Sequence, residues 1–197
     1  MPVSVSSLPD DDPILWQQFR EGNTVAFSQL AKKYYQTLFN YATKFTKDTT
    51  LIEDSIQDVF LKLWEHRSQL SDTLFVKFYL LKTLRHHFIK LHQKHLPVSE
   101  TLHGWLDVSD DTDAENRIIN EESWQLTTQQ LKNRVADLSK RQQEALYLRY
   151  YENLTYEQIA QTMGINSQSV ANLLQNSLKR LRDHWTFLVL IYYTLFL

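Results

Sequence analysis

An all-α protein of two small helical domains is what the sequence predicts, and three observations carry that expectation. The 197 residues include only 3 Gly and 4 Pro, too few turn-formers for a sandwich or a doubly wound sheet. Apolar residues recur at helical spacing through most of the chain. Charge is segregated along it: Thr73 to Ser99 holds no acid, Ser99 to Glu122 holds eight acids against one Arg117, and Gln158 to Arg182 again holds none. Two basic blocks around an acidic one read as two anion-binding modules joined by a repelling linker. The net charge of −2 conceals this pattern.

The elements follow in order. Asn23 or Thr24 caps a helix with Phe27, Leu30, Ala31, Tyr34, Leu38, Tyr41 and Phe45 on its apolar face. Thr50 to Glu53 reads as a capping box, and the helix after it aligns Ile52, Ile56, Val59, Phe60, Leu63 and Trp64. A third helix from about Leu74 to His92 carries Phe78, Leu81, Leu84, Phe88 and Leu91 inward. The first domain spans 13–95 and an acidic linker spans 96–122. A second domain over 123–184 contains helices from Trp124 to about Leu138, Ser139 to Tyr151, Thr155 to Met163, and Asn166 or Ser167 to His184. Residues 185–197 form an apolar tail.

Composition excludes several functions. With 43% hydrophobic and 22% charged residues the chain is ordinary globular material. The absence of cysteine excludes a disulfide framework, a cysteine-ligated metal site and a cysteine nucleophile. Met1 to Asp12 has neither the basic nor the apolar region of a secretory signal, so a cytoplasmic protein is expected. His92 and His95 stand three apart but have no third ligand in an obvious place, and no phosphate loop or nucleophile elbow is visible. The expectation is a protein with no catalysis, metal or cofactor of its own.

Function is most legible in Thr155–Leu173. Thr155 to Gln158 is a capping box. Ile159, Ala160 and Met163 face inward, Gly164 stands where a left-handed C-cap is needed, and Ile165, Val170 and Leu173 supply the next core contacts. This is the spacing of a helix-turn-helix, whose second helix enters a DNA major groove; a purely structural helical hairpin is the plainer alternative. Gln168, Ser169, Asn172 and Gln175 lie off the core stripe, with side chains suited to base edges. Lys179, Arg180 and Arg182 suit phosphate. On the Leu74–His92 helix, Lys77, Lys82, Arg85 and Lys90 alternate with Phe75, Tyr79, Phe88 and histidines including His86. Cations attract phosphate and aromatics stack on unpaired bases.

The run Leu138–Ile165, with its continuation from Ser169-Val170 to Arg182, resembles the fourth conserved region of sigma-70 family factors. Ile52–Trp64 is similar to the part of region two that docks on polymerase, and Phe78–Arg85 to the approach to its promoter-melting helix. Regions two and four alone are the layout of the extracytoplasmic-function group. The resemblance implies core RNA polymerase and promoter DNA as partners, with an anti-sigma factor as a further candidate. It also implies that Asp54, Gln57 and Asp58, off the apolar stripe of their helix, meet a coiled coil of the polymerase β′ subunit. The family commonly carries Asn directly after the Arg at Arg85, where this chain has His86.

Two rival readings remain: a helix-turn-helix regulator that binds operator DNA alone, and a helical scaffold protein with no DNA affinity. The uncharged tail Thr186–Leu197 is too short for a bilayer span of about 20 residues. Packing on its own domains, self-association and contact with a membrane surface are its three candidate roles.

Overall fold

A computed structural model describes residues 11–95 and 134–196, with side chains over 11–93 and 134–182. The acidic linker, the start of the second domain and most of the helix expected from Trp124 lie outside the described residues, although 134–136 are helical. Every regular element among the described residues is helical. The chain divides into two compact units, 1–100 and 101–197.

The first unit contains α1 (Asp12–Arg20), α2 (Thr24–Ala42), α3 (Thr49–Glu65) and α4 (Val76–His95). Helix α1 is nine residues long, with Pro13 in its first turn. Only Asp12, Trp16 and Phe19 turn inward. So short a helix is marginal by itself, and tertiary contacts hold it. The Asp12 carboxylate accepts from Lys33 Nζ and Tyr34 Oη of α2, and Trp16 Nε1 donates to the Ser71 carbonyl at 3.1 Å. Gly22, at φ +94°, then turns the chain.

The Asn23 side chain caps α2, accepting from the amides of Val25 at 2.9 Å and Ala26 at 3.1 Å. Leu30, Tyr34, Leu38, Tyr41 and Phe45 are buried as expected, whereas Phe27 and Ala31 are half-buried. The start of α3 differs from the expected box at Thr50. Its cap is Asp48, whose carboxylate accepts from Leu51 N at 3.1 Å. A carboxylate two residues earlier satisfies the orphan amide of Leu51 instead of that of Glu53, and it also suits the positive end of the helix dipole.

On α4 the buried set is Val76, Leu80, Leu81, Leu84, Arg85 and Phe88; Phe78 and Leu91 are only half-buried. Aromatic contacts run through the unit. Phe27 and Trp64 are 5.1 Å apart, Trp16 and Tyr79 5.3 Å, and Phe45 stacks on Phe88 at 5.3 Å.

In the second unit, Ser139 and Gln142 form a reciprocal capping box that starts α5 (Lys140–Leu146). The helix widens to a π turn at Tyr147–Tyr151. Glu152 N bonds the Tyr147 carbonyl five residues back at 3.1 Å, and Tyr147 Oη donates to Glu152 Oε1 at 2.9 Å. The turn ends at Asn153, with φ +57°. The Thr155–Gln158 box then opens α6 (Tyr156–Met163), and Gly164 closes it at φ 66°, ψ 38°. Ile165 N returns to the Ala160 carbonyl at 3.0 Å, the chain reversal of a left-handed C-cap.

Helix α7 runs from Ser167 to Phe196 without a break. The expected boundary near His184 is therefore absent, and residues 185–196 continue the helix. No helix of the described residues is long and apolar enough to cross a membrane.

Candidate nucleic-acid and partner interfaces

Helix α3 buries Ile52, Ser55, Ile56, Val59, Phe60 and Leu63. Helical geometry therefore sends Asp54, Gln57 and Asp58 to the opposite side, and all three are exposed. Asp58 also ties α3 to α4: its Oδ2 lies 3.8 Å from Lys62 Nζ and 3.9 Å from His87 Nε2. Asp58 and Lys62 are both more than half exposed, and so exposed a pair adds little stability.

Beside this face lies an apolar groove of about 700 Å³ between α2 and α3. Phe27, Ala31, Tyr35, Ile56, Phe60 and Leu61 line it, and Lys32, Glu53 and Gln57 edge it. Tyr35 is 41% and Leu61 49% exposed. The sequence reading missed both, because it followed only the buried stripe. Large apolar residues on the polar side of an otherwise amphipathic helix were the available signal.

On α4 the expected cations separate. Lys77 and Lys82 are half-exposed and Lys90 is exposed; Lys82 Nζ sits 5.7 Å from the Phe78 ring centroid. Arg85 is a correction: it is 4% exposed. It falls on the Leu81–Arg85–Phe88 stripe, at i, i+4 and i+7, so it points into the bundle instead of presenting a cation to phosphate. His86, the next residue, is exposed. Partial burial, then the charges of Lys82, Arg85 and Lys90, push its pKa below the ordinary histidine value. Leu74 and Phe75, 71% and 59% exposed, stand just ahead of α4.

In the second unit α6 and Gly164 present the start of α7. Asn166 Oδ1 accepts from Ser169 N at 2.7 Å and caps the helix. The buried face of α7 is Val170, Leu174 and Ser177; Leu173, expected in the core, is only half-buried. Gln168, Asn172, Gln175, Lys179, Arg180 and Arg182 are all exposed, and Ser169 is half-exposed. Gln168, Asn172, Gln175, Lys179 and Arg182 follow one another at steps of four and three, which draws a single line along the helix. Amides occupy its N-terminal half and cations its C-terminal half. The exposed aromatics here are Tyr150, Tyr151 and Tyr156, with the Arg149 guanidinium 5.3 Å from the Tyr156 ring centroid.

One helical unit with an acid-and-amide face beside an apolar groove, and another with a helix-turn-helix whose second helix offers amides and then cations, define a two-module DNA-binding transcription protein. Comparison with known proteins narrows this class. Residues 30–95 match the family Sigma-70 region 2, and residues 128–181 match Sigma-70, region 4. An ECF RNA polymerase sigma factor SigK of Mycobacterium sp. (strain JLS) is 24% identical over 191 residues, covering 92% of this chain and 94% of that one. Among solved structures, CnrH in complex with the cytosolic domain of CnrY aligns with a TM-score of 0.60 at 17% identity, over 90% of this chain and 98% of that one. The sigma factor RpoE from Bartonella quintana, solved with the anti-sigma factor NepR, aligns at 0.54 with 23% identity, over 80% and 94%. The chain belongs to the sigma-70 family, in its extracytoplasmic-function group. Such factors initiate transcription with RNA polymerase and are not enzymes by themselves.

Proposed function

We propose that the chain works as an alternative sigma factor in the cytoplasm, with separate tasks for its two units. In the first unit Asp54, Gln57 and Asp58, with the neighbouring α2–α3 groove, dock on a coiled coil of the polymerase β′ subunit. Lys77, Lys82 and Lys90 meet the phosphates of the opened promoter strand, and His86 meets it as a hydrogen-bonding ring. In the second unit the polar line of α7 enters the major groove of the upstream promoter element. Gln168, Ser169, Asn172 and Gln175 face the bases there, and Lys179, Arg180 and Arg182 hold the backbone. Catalysis stays with the polymerase, and the factor needs no cofactor.

The observation that carries this reading is the pairing of a helix-turn-helix with an exposed acid-and-amide face on the separate α3 helix. A regulator that binds operator DNA alone has no use for the second feature. An anti-sigma partner belongs to the proposal as well, because the RpoE of similar fold was solved bound to one.

The test is reconstitution of the full chain with core RNA polymerase. Co-elution, followed by promoter-specific transcripts that appear only when the chain is added, is the expected result. DNA binding without any polymerase association would instead identify a stand-alone regulator.

A further inference from the structure

The first turn of α7 contains a polar contact that helix formation does not require. Gln168 Nε2 donates to Asn172 Oδ1 at 3.1 Å, and both side chains are exposed. The helix is already capped by Asn166 and anchored by buried Val170 and Leu174. An exposed amide pair at i, i+4 adds little to that.

What the contact does is orient the Gln168 amide. A glutamine on the surface has large rotamer freedom, which it must lose to recognise anything. Here Asn172 removes part of that freedom in advance. One Gln168 N–H is engaged by Asn172, which leaves Oε1 and the second N–H on the same planar group, an acceptor with a donor. In the major groove adenine shows an N6–H donor beside an N7 acceptor. Guanine shows two acceptors, cytosine one donor, and thymine an acceptor with a methyl group. Only adenine answers both remaining atoms of Gln168. The position is also right, since the N-terminal residues of a recognition helix are those that reach base edges.

We infer that Gln168 reads an adenine in the duplex promoter element, and that Asn172 is its positioning residue, acting through Oδ1. This rests on the reading of α7 as the recognition helix. It makes a distinction that reading does not: the two amides act as one unit on one base pair instead of reading two.

The test is selection of duplex DNA from a randomised library by holoenzyme assembled from core polymerase and the full chain. The wild type is compared with Gln168→Ala, Asn172→Ala, the double variant and Asn172→Asp, each checked for helical content by circular dichroism. Gln168→Ala is expected to lower the preference for adenine at one position by on the order of tenfold. Asn172→Ala should relax the same position, and the double variant should relax it no further than Gln168→Ala. Asn172→Asp keeps an oxygen acceptor for Gln168, so it should retain the adenine preference even though its charge weakens binding to every sequence. Relaxation at two different positions, a preferred base other than adenine, or loss of the preference in Asn172→Asp would each overturn the inference while leaving α7 as the recognition helix. If neither alanine variant alters the selected sequence, the recognition-helix reading falls, and this inference with it.

Discussion

The two units reach stable helical folds by different means. Ten of the twelve bulkiest fully buried side chains among the described residues lie in the first unit, including Trp16, Phe19, Tyr41 and Phe88, and only Leu148 and Ile159 lie in the second. The first unit is therefore held by large interlocking side chains on helices of up to twenty residues. In the second, α5 and α6 are seven and eight residues long, and each opens with a full reciprocal capping box. Helices that short do not persist without help at their ends. The short capped helices both pack against one long helix, α7. The difference teaches that large packed side chains dominate among the described residues of the first unit, and end geometry in the short helices of the second.

Substitutions can break this contrast. The largest effect is expected from Phe88→Ala, which removes the ring stacked on Phe45. It should destabilise the first unit by about 3–5 kcal/mol, seen as an early transition in thermal melting, while the second unit melts as before. A single transition shifted for both units would mean that they are not independent.

Next comes Asp54→Lys with Asp58→Lys. Charge reversal on an exposed face should leave the melting profile nearly unchanged and weaken core polymerase binding by on the order of tenfold. Unchanged co-elution would remove α3 from the docking surface.

Gly164→Ala sharpens the claim about end geometry. At φ +66° an alanine meets no neighbouring atom within 4 Å, so the effect isolates backbone strain. A loss of about 1–2 kcal/mol is expected, measured by denaturant unfolding of the second unit, together with weaker promoter binding. Unaltered stability would show that the left-handed cap is dispensable.

Lys179→Ala should lower affinity for all sequences alike and reduce the slope of log affinity against log salt by about 1. A change in sequence preference instead would place Lys179 at a base.

The smallest effect concerns His86. Its folded pKa lies below the usual value, so the unfolded chain takes up a proton first as the solution is acidified. Stability therefore falls as pH drops through the window below about 6.5. His86→Gln should flatten that part of the curve of melting temperature against pH and leave the neutral region alone. An unchanged acid slope would mean that another group carries it.

Helices α2 to α7, the cap of α2 at Asn23 or Thr24, the capping box at Thr155, the glycine closing α6 and the outward set on α7 were legible in the sequence alone. Each depends on neighbours within about four residues, where spacing and side-chain chemistry decide the geometry. What required tertiary structure is of another kind. Helix α1 exists because Trp16, Phe19 and Asp12 find partners on α2 and beyond residue 70. Arg85 is inside because α4 turns that side toward the bundle. Leu61 and Tyr35 border a groove that forms only when α2 and α3 meet. Burial and side-chain direction depend on what lies across the gap from a helix, and residues distant in the chain supply that.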